Sequence, residues 1–379
     1  MLAKNMNRRE RVLKAINFEE PDTVPIGELA IDLGLMEKIL GVKHEITYSS
    51  QSALVPNREN ERALLDTFYK TYKAIGFDII YCISISLPDG YEQKKLPNGQ
   101  IIDEIGRIYS YDKVTKTHTV AGTVFETEEN INHFLEEEFP DPLASGRDYG
   151  LKYLKKINKG EMALGIHIRE PFAQVWEALT PIKFVYWMYK NPPIIQNFID
   201  KMTEFNIVLI EILGEHDLDV IMLGGDFCDE KGPMLPPKNF RSLGIYDGMR
   251  KQVEAAHKFG IKFIKHTDGF VNPLLEDLVE IARIDGIHSL DPSAGVDIGQ
   301  IKRMYGDRLV LHGNISVDNL ATKNIEEIEE ETMNVIKVAS PGGGHILSSS
   351  NSWYGGGKLE NYLAMVKAGR KFGKYPISI

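Results

Sequence analysis

The chain has 379 residues, of which 43% are hydrophobic and 26% are charged, and these values exclude a disordered or fibrous protein. A formal net charge of −10 without a segregated basic patch argues against a nucleic acid as partner, and no apolar run is long enough to span a membrane. The chain has two cysteines and a charged start that no apolar stretch follows, so we expect no signal peptide and a cytoplasmic location.

Short apolar runs recur along the chain, and they predict eight strands at 24–30, 77–84, 163–168, 219–223, 262–265, 286–290, 309–312 and 345–347. Segments with apolar residues three and four apart separate the later strands and predict helices at 193–215, 245–259, 273–284, 298–305 and 325–338. Parallel strands need such crossover helices, and a count of eight parallel strands favours closure of the sheet into a barrel. We therefore predict an α/β fold, a single (β/α)8 TIM-type barrel over residues 1–379.

Three further features complete the predicted organisation. Arg8, Arg9 and Arg11 lie among apolar residues at helical spacing, which predicts a first helix with a solvated basic face. The stretch between the second and third strands is too long for the helices predicted at 128–134 and 151–157 alone. It contains alternating residues and the turn Pro97-Asn98-Gly99, so we predict a small antiparallel insertion at about 93–125.

Nearly every predicted strand ends in a residue that can ionise or form a hydrogen bond. Ligands of closed α/β barrels bind at these ends of the strands, so a site is expected there. The candidates in chain order are Glu28, Ser84 or Ser86, Arg169 with Glu170, Asp226, His266 with Asp268, Asp291, Asn314 and the run Ser348–Ser350.

His266 and Asp268 form the most specific pair among these candidates. Residues two apart in a strand point to the same face, so both could act as metal ligands or as an acid–base pair. The alternative is a hydrogen bond between them that closes the loop into Gly269. Asp226 follows two glycines, which would let a substrate approach the backbone; its alternative is a solvated loop.

The remaining candidates have simpler expectations. Arg169 could hold a substrate carboxylate, or it could pair with Glu170 or another acid of the barrel. Trp353 could line the pocket or cover the barrel. The glycine runs do not lie between a strand and a helix, so we expect no nucleotide cofactor. Structural roles are expected for the strand histidines His167, His288, His312 and His345.

Several blocks of the sequence resemble the uroporphyrinogen decarboxylase family, and they occur in the order of that family. They are residues 7–15, 20–26, 103–107, 266–269, 305–314 and 341–344. The resemblance covers nearly the whole chain and implies a (β/α)8 barrel. True uroporphyrinogen decarboxylases carry arginines after the first strand, whereas residues 27–34 here contain Glu28 and Asp32 and no arginine. We therefore expect no efficient decarboxylation of a porphyrinogen, whose many carboxylates these acids would repel.

The later blocks resemble the corrinoid-dependent methyltransferases of the same family more closely. The zinc ligands of those enzymes are a His-x-Cys pair and a further cysteine near the last strand. The matching positions here are His266, Asp268 and the neighbourhood of Ser349 and Asn351, so both cysteines are replaced. Relatives that cleave aromatic methyl ethers resemble the chain in part. Their ligands are two Glu and one His, and the first and last of these three are 36 residues apart. Glu230 and His266 keep that spacing.

The resemblance implies a methyltransferase that moves a methyl group between a small, methoxylated substrate and the cobalamin of a separate corrinoid protein. We assign Asp226, His266 and Asp268 as catalytic, and His266, Asp268 and Glu230 as ligands of a metal, with zinc expected. The residues assigned to substrate binding are Glu28, Arg169, Asn314, Ser349, Asn351 and Trp353. The alternatives are a decarboxylase of a small acid, in which Asp226 or His266 protonates the product, and a ligand-binding barrel without catalysis. A homodimer is also expected from the resemblance.

Overall fold

The computed structural model describes residues 6–43, 57–82, 84–112 and 117–378. The second predicted strand includes Ile83 and the predicted insertion includes residues 113–116, and these positions lie outside the described residues. The strands are β1 (Ile79–Cys82), β2 (Lys94–Lys95), β3 (Ile101–Ile102), β4 (Arg107–Asp112), β5 (Thr117–Thr123), β6 (Ala163–Arg169), β7 (Val220–Gly224), β8 (Cys228–Asp229), β9 (Gly232–Pro233), β10 (Lys262–Thr267), β11 (Gly286–Ser289), β12 (Val310–Ile315) and β13 (His345–Ser349).

Helices alternate with the strands along most of the chain. They are α1 (Arg8–Ile16), α2 (Leu33–Leu40), α3 (Arg58–Ile75), α4 (Glu128–His133), α5 (Tyr149–Asn158), α6 (Pro171–Leu179), α7 (Pro181–Lys190), α8 (Pro192–Gly214), α9 (Pro237–Ser242), α10 (Ile245–His257), α11 (Asn272–Glu280), α12 (Ile298–Tyr305), α13 (Val317–Thr322), α14 (Ile325–Ala339) and α15 (Leu359–Phe372), with a π-helical turn at Phe134–Glu138. No helix in the described part of the chain combines the length and the apolar character that crossing a membrane requires.

Seven parallel strands of the described residues form one sheet in the order β1, β6, β7, β10, β11, β12 and β13. Residues 25–27 lie between its two edges. Gly27 N donates to Leu347 O in β13 at 3.0 Å, and Asp78 N, directly before β1, donates to Ile26 O at 2.7 Å. This segment therefore takes the eighth position, which confirms the predicted (β/α)8 barrel. It forms an isolated bridge at Ile26 rather than the regular strand predicted at 24–30, and Pro25 has no N–H to add to the ladder.

Helix α1 covers the N-terminal end of the barrel. Its Val12 and Ile16 pack against the apolar side chains that fill the barrel interior, which include Ile79, Ala163, Val220, Met222, Ile264, Val310 and Ile346. The prediction of a solvated basic face on this helix is wrong for two of its arginines. Arg9 pairs with Asp219 at 2.8 Å, and Arg11 pairs with Asp22 at 2.7 Å and with Asp78 at 2.5 Å. The acids Asp78 and Asp219, directly before β1 and β7, thus anchor α1 to the N-terminal end of the barrel.

The predicted insertion is a four-stranded antiparallel sheet in the order β2, β3, β4 and β5. A buried ion-pair network connects it to the barrel. Arg107 of β4 contacts Asp103 at 2.6 Å and Glu177 of α6 at 2.6 Å, and Glu177 also pairs with Arg169 at the end of β6. The network runs from the insertion to the C-terminal end of the barrel strands.

Candidate functional site

Three candidate side chains from two neighbouring strands lie together at the C-terminal end of the barrel. Asp226 follows β7, His266 lies in β10, and Asp268 follows β10. Because Gly224 and His266 are register partners, the residues after both strands reach the same place. One ligand atom from each of the three side chains lies within 4.8 Å of the other two. The fold thus brings the residues at the ends of β7 and β10 together into one compact group.

The two carboxylates face the opening, whereas the histidine lies beneath them. The side chains of Asp226 and Asp268 are 38% and 32% exposed, against 10% for His266. Nε2 of His266 lies 3.7 Å from Oδ1 of Asp226 and 3.8 Å from Oδ1 of Asp268. These distances are too long for a direct hydrogen bond, so the expected closure of the loop by a bond between His266 and Asp268 is not present. A solute entering the mouth would meet the carboxylates first.

Hydrogen bonds fix the orientation of both carboxylates. The backbone N–H of Asp268 donates to Oδ1 of Asp226 at 3.1 Å and so orients Asp226. The carboxylate of Asp268 accepts two further bonds. Ser289 Oγ donates to its Oδ1 at 3.1 Å, and Asn351 Nδ2 donates to its Oδ2 at 2.5 Å. Asn351 lies in the neighbourhood that the resemblance assigns to a zinc-binding cysteine. The carboxylate at one expected cysteine position is therefore in direct contact with an amide from the neighbourhood of the other.

The protonation states follow from partial burial and from the charges within the group. Burial lowers the pKa of His266 to about 4, so its ring is neutral near pH 7. Burial and the negative charge of Asp226 raise the pKa of Asp268 to about 7. A neutral imidazole beside two carboxylates is a donor set that divalent cations bind.

The geometry also fits a single cation. Zinc binds imidazole nitrogen and carboxylate oxygen at about 2.0–2.2 Å, so two ligands of one tetrahedral ion lie about 3.3–3.6 Å apart. The contacts of 3.7 and 3.8 Å between His266 and the carboxylates need only a small contraction. Glu230, expected as a ligand, is exposed in the hairpin of β8 and β9 and does not belong to the group of three in the described residues. The third member of the group is Asp226, and not Glu230 as the 36-residue spacing to His266 predicts.

A row of buried histidines lies below the group, inside the barrel. Nδ1 of His266 is 2.7 Å from Nδ1 of His288, and the ring of His288 packs against that of His312 with centroids 4.8 Å apart. Tyr81 OH lies 3.5 Å from Nδ1 of His312. The sequence predicts only a structural role for His288. The predicted strands 262–265 and 286–290 do not place the two histidines at the same level, and only the structure shows that they are register partners.

A buried lysine holds the backbone on either side of the site. Lys265 Nζ donates to the carbonyl oxygen of His266 at 2.5 Å and to that of Gly225. Burial lowers the pKa of Lys265, and it raises the pKa of Glu170, the buried acid whose charge acts on the lysine. Sequence reasoning missed Lys265, although a lysine inside an apolar strand is a signal in itself. Its contacts fix the residue before Asp226 and the backbone of His266.

The space beside the two glycines after β7 is filled by the protein. A Cβ at Gly224 would lie 1.8 Å from Nε2 of His167, and a Cβ at Gly225 would lie 2.5 Å from Cβ of Ala173. These glycines admit the side chains of β6 and α6, so the expected approach of a substrate to this backbone is not supported.

The acids and aromatic residues near the last strand are buried. Glu28 is 0% exposed and accepts hydrogen bonds from Leu29 N at 3.2 Å and Ser349 N at 3.1 Å. Burial raises its pKa to about 8. Trp353 is also buried and stacks on Tyr362 with a centroid distance of 4.3 Å, so it covers the barrel wall and does not line an open pocket. Glu28 and Trp353 lie behind the surface that a ligand would touch.

Two other candidates make contacts within the protein. Arg169 pairs with Glu177, an acid of the neighbouring helix, and its Nε has no hydrogen-bond partner in the described residues. Asn314 donates to Leu290 O at 2.7 Å and borders a cleft of about 520 Å³ beside α12 and α14. Arg169 lies close enough to Asp226 for its charge to lower the pKa of that carboxyl.

Comparison with known proteins adds sequence and structural relatives. The family model described as "Uroporphyrinogen decarboxylase (URO-D)" matches residues 149–372, which include every element from α5 to α15. The uroporphyrinogen decarboxylases of three Coxiella burnetii strains are each 24% identical over 192 residues. That match covers 49% of this chain and 49% of each relative, so it spans about half the length of those proteins.

A solved structure shares the architecture over almost its full length. The structure titled "methyltransferase from Methanosarcina mazei" aligns with a TM-score of 0.72 and 20% sequence identity. The alignment covers 97% of this chain and 99% of that chain. At this identity the likeness shows the common fold, including the placement of the strands that carry the three site residues.

Proposed function

Because the chain belongs to the uroporphyrinogen decarboxylase family, we propose that it is an enzyme that moves a methyl group between a small methoxylated compound and the cobalamin of a separate corrinoid protein. The observation that carries the proposal is the convergence of Asp226, His266 and Asp268 at the barrel mouth. The name of the structural relative from Methanosarcina mazei, a methyltransferase, supports the choice of methyl transfer within the family.

Asp226, His266 and Asp268 are the residues that would hold a zinc ion. Three protein ligands leave a fourth position for a substrate or water, as in catalytic zinc sites. When bound, the ion would supply Lewis-acid chemistry to the oxygen that carries the methyl group. With carboxylates in place of thiolates the site discriminates less between divalent ions, so manganese or cobalt could also occupy it.

The other residues of the site orient the three ligands. Ser289 and Asn351 each donate a hydrogen bond to a different oxygen of Asp268, which keeps the carboxylate turned toward His266. Lys265 fixes the backbone next to Asp226. Such support matters because a positional error of about 1 Å can lower a rate about 100-fold.

Decarboxylation of a small acid is the second candidate function, and the family and its curated decarboxylase relatives favour it. In that reaction Arg169 would bind the carboxylate with the nitrogen that Glu177 leaves unpaired. Asp268, whose pKa burial raises to about 7, would protonate the product in place of the expected Asp226 or His266. The two functions differ in what they require. A decarboxylase of this kind would act without a corrinoid protein and without metal.

Elemental analysis and a methyl-transfer assay test the proposal together. The purified protein is analysed for zinc, manganese and cobalt, and it is then incubated with cob(I)alamin and a methoxylated benzene. Formation of methylcobalamin is followed by absorbance. His266→Ala should lose both metal and activity, whereas Glu230→Gln, a change at an exposed acid in the hairpin of β8 and β9, should keep both.

Three results would contradict the proposed function. Retention of metal and activity by His266→Ala would show that His266 is neither ligand nor catalyst. Release of CO₂ from small carboxylic acids by metal-free protein would favour the decarboxylase. A protein that binds the methoxylated benzene and performs neither reaction would be a ligand-binding barrel. The homodimer and the cytoplasmic location stay predictions.

A further inference from the structure

His288 lies directly behind His266, on the side away from the carboxylates. The two residues are register partners on β10 and β11, and their Nδ1 atoms are 2.7 Å apart. Their ring centroids are 4.9 Å apart and the ring planes are inclined by 44°. His288 is completely buried. The polar contact of His266 Nδ1 is therefore another imidazole, in a place that water does not reach.

A distance of 2.7 Å between two ring nitrogens requires one proton between them. If His288 donates, Nδ1 of His266 has no proton, and its Nε2 carries an N–H that points toward Asp226 and Asp268. If His266 donates, its proton is on Nδ1, and Nε2 presents a lone pair to the same two carboxylates. Only the second arrangement allows His266 to bind a cation between them.

With one proton on each ring, the two arrangements contain the same number of protons and have the same charge. They differ in which ring donates. In the second arrangement the proton of His288 is on its Nε2, which has no hydrogen-bond partner in the described residues.

We propose that His288 is the positioning residue of the metal centre: it accepts the Nδ1 proton of His266 and thereby turns the Nε2 lone pair toward Asp226 and Asp268. This inference rests on the metal centre of the proposed function. In metalloproteins the acceptor behind a histidine ligand is usually a carboxylate, a backbone carbonyl or water. Here the acceptor is a neutral imidazole, so the support of His266 adds no negative charge to a site that already has two carboxylates.

Substitutions at His288 distinguish the effect of its hydrogen-bond acceptor from the effect of the size of its side chain. His288→Asn keeps an acceptor on Cγ, where Nδ1 is bonded in histidine, whereas His288→Gln moves the amide one carbon further and His288→Leu removes it. Zinc affinity is measured with Zn²⁺ alone, by competition with a chromophoric chelator. We expect Leu and Gln to weaken binding by about 10–100-fold and Asn to change it by less than about threefold.

A matched control uses a second buried histidine of the barrel. His345 contacts Ser340 Oγ and Gly313 O, both at 2.8 Å, and does not touch His266 in the described structure. His345→Asn and His345→Gln should leave zinc affinity unchanged. Urea unfolding of each metal-free variant shows whether it folds. If His288→Leu does not fold, the comparison of His288→Asn with His288→Gln still tests the proposal.

The outcomes distinguish this role from the metal centre itself. Equal zinc affinity of the parent protein and of His288→Gln refutes the role of His288 and leaves the metal centre intact. Equal losses in His288→Asn and His288→Gln also refute it, because the acceptor on Cγ would then make no difference. A parent protein that binds neither Zn²⁺ nor Co²⁺ refutes the metal centre and, with it, this role.

Discussion

Replacing Glu28 by glutamine should change the way in which the stability of the protein depends on pH. Glu28 is 0% exposed, and burial raises its pKa from the ordinary 4.5 to about 8. Below pH 4.5 the carboxyl is protonated in both the folded and the unfolded chain. Between pH 4.5 and 8 the unfolded chain releases this proton and the folded protein keeps it, so rising pH favours unfolding.

The size of the effect follows from the two pKa values. One pH unit in this window corresponds to about 1.4 kcal/mol, so the parent protein loses on the order of 4 kcal/mol between pH 5 and pH 8 through Glu28. Glutamine does not titrate and avoids this loss. It also provides one acceptor fewer for Leu29 N and Ser349 N, which costs about 1 kcal/mol at every pH.

Urea unfolding at pH 5, 6, 7 and 8, followed by tryptophan fluorescence, measures the difference. Glu28→Gln should be less stable than the parent at pH 5, and this order should reverse before pH 8. Glu230→Gln, at an exposed glutamate, should follow the parent at every pH. If the free-energy difference between Glu28→Gln and the parent is the same at pH 5 and pH 8, Glu28 is not held protonated by burial, and the reasoning is refuted.

Three other tests concern the metal-binding group, the buried ion-pair network and the substrate. Asp268→Asn should weaken zinc binding more than about tenfold while Glu230→Gln leaves it unchanged, as measured by chelator competition, since only Asp268 belongs to the group around His266. Arg107→Met removes an ion-pair partner from the two buried carboxylates Asp103 and Glu177, of which only Glu177 keeps another, Arg169. It should reduce the free energy of unfolding by about 3 kcal/mol, against less than about 1 kcal/mol for the more exposed Arg250→Met; similar urea midpoints would contradict this. Purified protein should not convert uroporphyrinogen, and chromatographic detection of decarboxylated porphyrins would show that the missing arginines are not needed.

The barrel could be predicted because each of its strands pairs with the next one along the chain. With that order, residues that follow successive strands meet at one end, and the sequence alone places Asp226 beside His266. The first strand was predicted less well. Only residues 25–27 pair with its neighbours, and Pro25 and Gly27 are poor strand formers that the apolar pattern of 24–30 does not reveal.

The proposed ligand set could not be predicted as well, because it depends on the path of a short loop. The spacing between Glu230 and His266 suggested Glu230, but β8 and β9 form a hairpin that leaves this residue exposed. Asp226, four residues earlier, stays next to the barrel because Phe227 N donates to Thr267 Oγ1 at 2.9 Å. A tertiary contact, which sequence spacing does not encode, thus decides which acid reaches the site.

We expect the replacement of both cysteines to affect the choice of substrate more than the position of the site. Asp268 matches one thiolate position of the resemblance, the neighbourhood of Ser349 and Asn351 matches the other, and Asn351 contacts Asp268 at 2.5 Å. Thiolate-rich sites donate electrons strongly and activate thiols, whereas carboxylate and imidazole favour harder ions and oxygen ligands. Because Asn351 donates to Asp268, it would also withdraw electron density from the carboxylate and so would make an ion held there more acidic. We therefore expect the atom that carries the methyl group in the substrate to be oxygen, since cleavage of its bond to carbon needs an acid at that oxygen more than an electron-rich metal.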